Sequence, residues 1–451
     1  MKIATIILAA GMGTRMRSST PKVLHCLGGK PLIWYSLQAA DEVDSELTVV
    51  VVGHKAEDVQ KEVGDTTRCV VQEPQLGTGH AVQTAQRLTE GSTDLVVVTY
   101  ADMPLLTGET MRTLIETQKA NDGPVTMLTM VLDDSHGFGR VIRFEDGSVQ
   151  EIVEEAQATP EQLAVRELNV GVYCFDSRWL WDALERVPLS PEGEYYLTDT
   201  VGIATGDKLK VQAQVLQDPS EAIGINTRVH LAEAEAVLRR RINTSWMLEG
   251  VTLVDPDAVY IEPDVSIGRD TIIHPNTILR GATEIGEECV IGPNSVLDGC
   301  KVGSRCKILA SVLDAGAVVG DGVVMGPFCH LRQGAHLAEG VRMGNFGEVK
   351  NSYLARGVQM GHFSYIGDAR IGRNANIGAG TVTCNYDGVD KHPTEIGEDA
   401  LIGSATMLVA PVKIGDRAQT GAGSVVTRDV PPDTVVVGVP ARPKKKTGSE
   451  Q

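Results

Sequence analysis

Two groups of side chains in this chain have the types and spacing that chemistry needs. The first begins where the apolar run Ile3–Leu8 enters AAGMGTRM at residues 9–16, with Pro21-Lys22 just beyond. Gly11 and Gly13 let the backbone turn sharply and present N–H groups to a polyphosphate, and Arg15 and Lys22 can supply compensating positive charge. Two familiar phosphate loops are excluded, because both need glycine at position 16 and this chain has Met16. The second part of this group is VVVTYADMPL, residues 96–105, a hydrophobic strand that ends in Asp102. A carboxylate at the carboxyl edge of a sheet commonly holds Mg²⁺ bridging phosphates. Taken singly, an ordinary strand-to-helix turn and a helix-capping aspartate are the plain alternatives. Taken together, loop and carboxylate favour nucleotide chemistry.

The second group lies far downstream. Arg332 and Lys350 are 18 residues apart, and each follows an aliphatic residue, Leu331 and Val349. If three hexapeptides make one coil, these two cations stack on one face about 4.8 Å apart. Like charges that close repel by roughly 1 kcal/mol in water and by more near a protein surface, so an anion such as a phosphate is expected between their tips. The alternative is that Glu348 neutralises them or that they splay into water. His362 follows Met360 by two, leans outward beside Phe363 and Tyr365, and has the ordinary chemistry of a general base. His330 and His336, six apart, fall on adjacent faces and do not make a zinc rim, and Cys384 has no neighbouring base to make it an acyl carrier.

The elements that must hold these groups are also legible. Val319, Met325, Leu331, Leu337, Met343 and Val349 recur every six residues, a period that belongs to neither helix nor strand. It fits a parallel β-helix of three short strands per coil. Hexapeptides run from about Ile261 to Val430, with five-residue slips after Leu297, Ile308, Val349 and Ile366 and one excursion at Thr383–Glu395. Upstream, Ile3–Leu8, Leu47–Val52, Leu95–Thr99 and Val125–Met130 alternate with helical patterns at Ala81–Leu88 and Glu109–Gln118. This predicts an α/β fold with a Rossmann-like, mostly parallel sheet and helices on both faces. Residues 228–250 form a connecting helix whose Arg239–Arg241 run is a solvated face, and the ending ARPKKKTGSEQ is expected to be disordered. The division is thus 1–227, 228–250 and 251–451.

Bulk properties narrow the function. A chain of 451 residues with 42% hydrophobic content suits a multidomain globular protein, and its net charge of −18 argues against nucleic-acid or anionic-membrane partners. No apolar run is long enough to span a bilayer, and the start MKIATIILAAGMG is a first strand and not a signal peptide. Eight cysteines without a C-x-x-C pair are expected to be reduced, buried thiols of a cytoplasmic protein.

The motifs LAAGMGTRM, Pro21-Lys22-Val23-Leu24-His25, Gln75-Leu76-Gly77-Thr78-Gly79-His80, Asp102 and Gly193-Glu194-Tyr195-Tyr196 resemble those of the sugar-nucleotide pyrophosphorylases. With the hexapeptide region and the Asn385-Tyr386 loop, almost the whole chain resembles the bacterial bifunctional N-acetylglucosamine-1-phosphate uridyltransferase/glucosamine-1-phosphate acetyltransferase family. The resemblance implies a left-handed β-helix, a homotrimer, and Mg²⁺ with UTP and acetyl-CoA as co-substrates. It implies nucleotide or sugar contacts at Leu8, Ala9, Ala10, Gly11, Lys22, Gln72, Gly77, Thr78, Tyr100, Ala101, Asp102, Gly139, Glu154, Asn169 and Asn226, with Asp102 and Asn226 on the metal and Arg15 and Lys22 neutralising charge. In the second half it implies His362 as base, with Arg332, Lys350, Tyr365, Asn376 and Lys391 on glucosamine 1-phosphate. Ala379, Asn385, Tyr386, Ser404 and Ala422 would line the acetyl-CoA path. Two departures are visible. Ala101 stands where the family usually has glycine, and its methyl is expected to narrow the nucleotide pocket; Gly438 replaces a basic residue near the coenzyme phosphate, with Arg442 and Lys444 close in sequence. A single-activity nucleotidyltransferase with a purely structural β-helix and a non-catalytic sugar-nucleotide scaffold are the competing readings.

Overall fold

The computed structural model describes residues 1–64, 67–133, 137–155 and 158–444. It divides into two compact units, Met1–Leu238 and Arg239–Gln451.

The first unit is built on a sheet of nine strands among the described residues: β1 Ile3–Ala9, β2 Leu47–Val52, β3 Arg68–Val71, β4 Leu95–Tyr100, β5 Val125–Val131, β6 Arg140–Arg143, β7 Val149–Val153, β8 Glu167–Asp176 and β9 Val211–Val215. Their order is β9-β5-β8-β4-β1-β2-β3, with β6 and β7 branching from β8. Strands β1, β2, β3 and β4 run parallel, as do β5 and β9, whereas β8 is antiparallel to both β4 and β5. All seven residues of β1 are buried, as a central strand covered on both faces requires. Alternate residues serve opposite cores: Ile6, Val49 and Val96 pack on one side, and Ile7, Val50 and Val52 on the other. In register, Leu8 faces Tyr100, so the carboxyl ends of β1 and β4 bring the glycine loop beside Asp102. That is the crevice where sheets of this kind bind ligands.

The second unit is a left-handed parallel β-helix with walls of twelve, ten and nine strands among the described residues. Its interior is the six-residue ladder, where Val319, Met325, Leu331, Leu337, Met343 and Val349 are each at most 2% exposed. The slips also fall as the sequence predicts, for Leu297 is followed inward by Val302, Ile308 by Leu313, Val349 by Leu354 and Ile366 by Ile371. The excursion leaves the coil between strands Val382–Cys384 and Thr394–Ile396.

A helix spans Arg228–Leu248. Ala234 packs in the first unit with Leu231, Val237 and Leu238 against it, while Ile242 and Trp246 pack on the β-helix core. Three expectations need correction. Arg239 is not simply solvated, since its guanidinium lies over the Tyr260 ring, 4.7 Å from the centroid. The thiols are free but not all buried, because Cys26 is exposed and Cys69 and Cys384 are half-buried. The ending is ordered as far as Arg442-Pro443, which pairs antiparallel with Val435–Val437 and completes the first wall; residues 445–451 of the expected tail lie outside the described residues.

Candidate functional site

The first unit opens a cleft of about 390 Å³ lined by Leu8, Ala9, Ala10, Gly11, Lys22, Gln72, Gly77, Thr78, Tyr100 and Asp102, all expected from sequence. At its floor the Lys22 ammonium contacts the Asp102 carboxylate and donates to Asn226 Oδ1 at 3.1 Å. Arg15 reaches the same Asn226 oxygen at 3.0 Å, and the Asp102 carbonyl accepts from Ile225 N–H at 2.8 Å. Four residues from distant parts of the chain therefore converge on one point. Two of them offer hard oxygen donors and two are cations. This donor set fits a divalent ion that keeps waters and phosphate oxygens in its remaining positions. Asp102 and Asn226 would hold it once Lys22 turns to the nucleotide.

The roof of the cleft is set by backbone. Gly77, at φ +92°, packs so closely on the Tyr195 main chain that a Cβ there would lie 2.6 Å from the Tyr195 carbonyl. Gly79 N–H donates to that carbonyl at 2.7 Å, and the Thr78 hydroxyl accepts from Leu197 N–H at 3.0 Å. The Gly193–Tyr196 run thus clamps the Gln75–His80 run, and Gln72 joins it by donating to the Gly77 carbonyl at 2.9 Å. Gln75 and Glu194 also line the cleft. No spacing rule marks them, and the two motifs in which they sit were the only signal.

A second cluster adjoins Tyr100. Asn169 N–H donates to the Gly139 carbonyl at 2.8 Å, and Asn169 Oδ1 accepts from Gly171 N–H and the Tyr173 hydroxyl at 3.0 and 3.1 Å. A Cβ on Gly139 would crowd Ile152 and come within 3.3 Å of Glu154. Burial, then Asp199, pushes the Glu154 carboxyl up, with Arg140 opposing. Burial, with Asp102 and Glu154 adding to it, holds the Tyr100 phenol far above its usual value. Ala101 corrects an expectation: its side chain is fully buried with Ile7, Ala9, Val23 and Val50, so its methyl does not narrow the cleft.

In the β-helix, Leu331 pairs with Val349 on one wall, and Arg332 N–H donates to the Val349 carbonyl at 2.8 Å. The two cations are therefore in vertical register. Their tips, however, do not await an anion equally. Arg332 is bonded to Glu348 at 3.0 Å, the neutralising partner that the sequence left as the alternative. Lys350 meets Lys391, and that neighbour first, then Arg332, holds its ammonium below the usual lysine value. Tyr365 and Asn385 approach the same place: a Cβ on Gly367, which pairs with Lys350, would strike the Tyr365 hydroxyl and the Asn385 amide. The excursion that brings Lys391 here is locked by Asp387, which accepts from Val389 and Asp390 N–H at 2.8 Å and pairs with His392 at 2.7 Å. Tyr386, 60% exposed, lies on that loop.

His362 is exposed at the corner between the first and second walls. Hydrogen bonds from Gly380 to Phe363, Ala405 to Ala379 and Gly423 to Ser404, at 2.6, 2.6 and 2.8 Å, stack His362, Ala379, Ser404 and Ala422 in one column. Gly438 continues that column, and Arg442 returns beside it by pairing with Val437. Exposed Phe328 and Phe346 stack at 5.4 Å along the same corner, and Phe363 follows them. Asn376 is not brought to the cations. It lies on the first wall, paired with Gln359 and Leu401. His330 and His336 occupy different walls, and His330 pairs with Asp314 at 3.0 Å.

Both units have counterparts among known proteins. Residues 5–192 match the MobA-like NTP transferase domain family, residues 282–321 the hexapeptide repeat of succinyl-transferase, and residues 393–428 the bacterial transferase hexapeptide (six repeats). The bifunctional protein GlmU of Heliobacterium modesticaldum is 46% identical over 97% of this chain and 95% of its own length. That of Trichlorobacter lovleyi is 44% identical over 96% of this chain and 95% of its own. The chain belongs to the GlmU family. The likeness to GlmU relatives runs through both units, so it covers the cleft and the β-helix alike.

Proposed function

We propose that this chain makes UDP-N-acetylglucosamine by two reactions in two units. The observation that carries the reading is the presence of two separately built, charged centres in a chain of a bifunctional family.

In the β-helix, acetyl-CoA acylates the amine of glucosamine 1-phosphate. Lys350, Lys391 and Arg332 take the phosphate, whose negative charge relieves the repulsion that depresses Lys350. Tyr365 lies with them at the sugar site. Exposed His362 takes the amine proton as nitrogen attacks the thioester carbon, and CoA leaves. The column of Ala379, Ser404 and Ala422 receives the coenzyme, and its small side chains leave room for a long thin arm; Asn385 and Tyr386 line that path from the excursion at the cations. His362 lies at the corner and Gly367 at the far end of strand Ser364–Gly367, so the base and the phosphate cations stand at opposite ends of the wall. A site closed between copies of the chain in a homotrimer resolves the separation and covers the exposed Phe328 and Phe346 rings.

In the first unit, the phosphate of N-acetylglucosamine 1-phosphate attacks the α-phosphorus of UTP, and pyrophosphate leaves. Catalysis of this kind is positioning and charge neutralisation. Lys22 and Arg15 neutralise phosphate charge, the Leu8–Gly11 backbone turns N–H groups to the nucleotide, and Gln72, Gly77 and Thr78 frame it. Gly139, Glu154 and Asn169, beside Tyr100, hold the sugar. Asp102 and Asn226 would hold Mg²⁺, which would further neutralise the polyphosphate. The cytoplasm, where both co-substrates occur, is the place of action.

Two substitutions test the assignment. His362→Ala is expected to lower acetyl transfer at least about hundredfold while leaving pyrophosphate release from UTP intact, and Asp102→Asn to do the reverse. Acetyl transfer persisting in His362→Ala, with UDP-sugar synthesis unchanged, would leave the β-helix as a structural assembly device.

A further inference from the structure

The turn that carries Lys22 and the segment that carries Asn226 are joined a second time, by two residues with no part in the chemistry above. Lys22–Leu24 is a single turn of 3-10 helix, closed by His25 N–H donating to the Lys22 carbonyl at 3.2 Å, and the His25 carbonyl accepts from Leu32 N–H at 3.0 Å. The His25 side chain is 8% exposed. Arg228, two residues beyond Asn226, reaches His25 Nδ1 at 3.3 Å. Since a guanidinium only donates, Nδ1 accepts, and the ring is neutral with its hydrogen on Nε2. Nε2 itself is buried and makes no hydrogen bond of ordinary geometry, with the Thr20 backbone nearest to it. Burial, then the charge of Arg228, holds the ring below the usual imidazole value, with the Thr20 backbone opposing.

A buried, poorly matched imidazole is not what an apolar site would select. What the histidine supplies in exchange is one acceptor at one place. The Lys22 turn and residues 226–228 are about 200 positions apart in sequence, and they meet at Lys22–Asn226, 3.1 Å, and at His25–Arg228, 3.3 Å. Arg15 at Asn226 and Gly28 N–H at the Glu235 carboxylate, 2.9 Å, tie the flanking chain to the same segment, but neither holds the Lys22 turn itself. Two bonds, three residues apart on one strand of chain and two on the other, fix the rotation of both segments, and with it where Lys22 and Asn226 point.

We infer that His25 is a positioning residue for uridylyl transfer: by accepting from Arg228 it locks the Lys22 turn against the Asn226 segment so that Lys22, Asp102 and Asn226 converge. The inference rests on the uridylyl-transfer reading of this cleft. His25 touches neither substrate nor metal in this scheme; it acts through the two segments it ties. Moving a charge-neutralising group by even a small distance lowers the rate steeply, because only the aligned geometry favours the transition state.

The test uses the full chain with His25→Ala, His25→Asn, Arg228→Met and the double variant His25→Ala/Arg228→Met. Asparagine keeps an acceptor near the place of Nδ1. In His25→Ala, kcat for pyrophosphate release is expected to fall about tenfold and the half-activating Mg²⁺ concentration to rise about threefold or more. His25→Asn is expected to restore most of both, and the double variant to be no worse than the poorer single one. A fraction of misfolded protein lowers kcat but cannot move the magnesium midpoint, and acetyl transfer in the same samples reports the other unit. Hydrogen exchange on the protein without nucleotide or metal gives a readout independent of activity: amides of residues 22–25 and 225–228 should lose protection in His25→Ala and keep it in His25→Asn. An unchanged magnesium midpoint and unchanged exchange in His25→Ala would overturn the inference, as would losses that multiply in the double variant. If the wild-type chain releases no pyrophosphate at all, the uridylyl-transfer reading fails instead, and hydrogen exchange still judges the clamp.

Discussion

Lys350 stands among charges of its own sign, and that makes its behaviour with pH a probe of the acyl-acceptor site. Lys391 first, and Arg332 second, hold its ammonium below the ordinary lysine value. A depressed lysine disfavours the charged form in the folded state. The resulting penalty is therefore present below the folded value and gone above the unfolded one, so stability should rise as pH climbs through the alkaline window between them. Lys350→Met should flatten that rise and raise the thermal midpoint of the unliganded protein at neutral pH. It should also raise KM for glucosamine 1-phosphate by about tenfold or more, because the phosphate loses a charge-assisted partner. A thermal midpoint that falls at neutral pH, with KM unmoved, would contradict the assignment. The register of Arg332 over Lys350 was legible from the period alone, yet the ends of the two side chains were not. A long guanidinium stem selects among partners within its reach, and Glu348 is on the neighbouring strand two residues out of register. Ala101 shows the same limit at shorter range: its place before Asp102 is plain in sequence, but the turn after strand Leu95–Tyr100 that buries its methyl is not.

Elements whose rule is local were read well, and those whose rule is a pairing choice were not. The six-residue ladder, its slips and its one excursion follow from which residues must point inward, so spacing alone located them. By contrast, β8 and the β6–β7 branch run antiparallel in a sheet whose central strands are parallel, and an apolar run carries no mark of its direction. The antiparallel return at Arg442-Pro443 was likewise hidden in a basic, proline-containing ending. The glycine loops of the cleft combine both kinds of information. Gly77 is written in the motif, but the reason for it is the Tyr195 main chain, 118 residues away in sequence. Gly77→Ala forces a side chain at φ +92° against a carbonyl, and the Gln75–His80 run must move away from the nucleotide. The expected outcome is loss of uridylyl transfer by about tenfold or more, chiefly in KM for UTP, with acetyl transfer unaffected. Steady-state kinetics of both reactions on one preparation will show it, and an unaltered KM would mean that the clamp of these two runs does not shape the nucleotide site.

At the scale of the molecule, two architectures with unrelated rules are joined in one chain by the helix Arg228–Leu248, which contributes side chains to the core of each. No helix among the described residues is long and apolar enough to cross a membrane. The sheet presents its chemistry where parallel strands end; the β-helix presents its own along a wall and a corner. The central claim is that these are consecutive reactions of one protein, the product of the second unit being the substrate of the first. The direct measurement is to give the pure protein glucosamine 1-phosphate, acetyl-CoA, UTP and Mg²⁺ and to follow free thiol and nucleotide sugar in time. The account predicts that CoA appears first and that UDP-N-acetylglucosamine follows with pyrophosphate, without any added N-acetylglucosamine 1-phosphate. Nucleotide sugar forming only when the acetylated sugar phosphate is supplied, with no release of CoA, would contradict it.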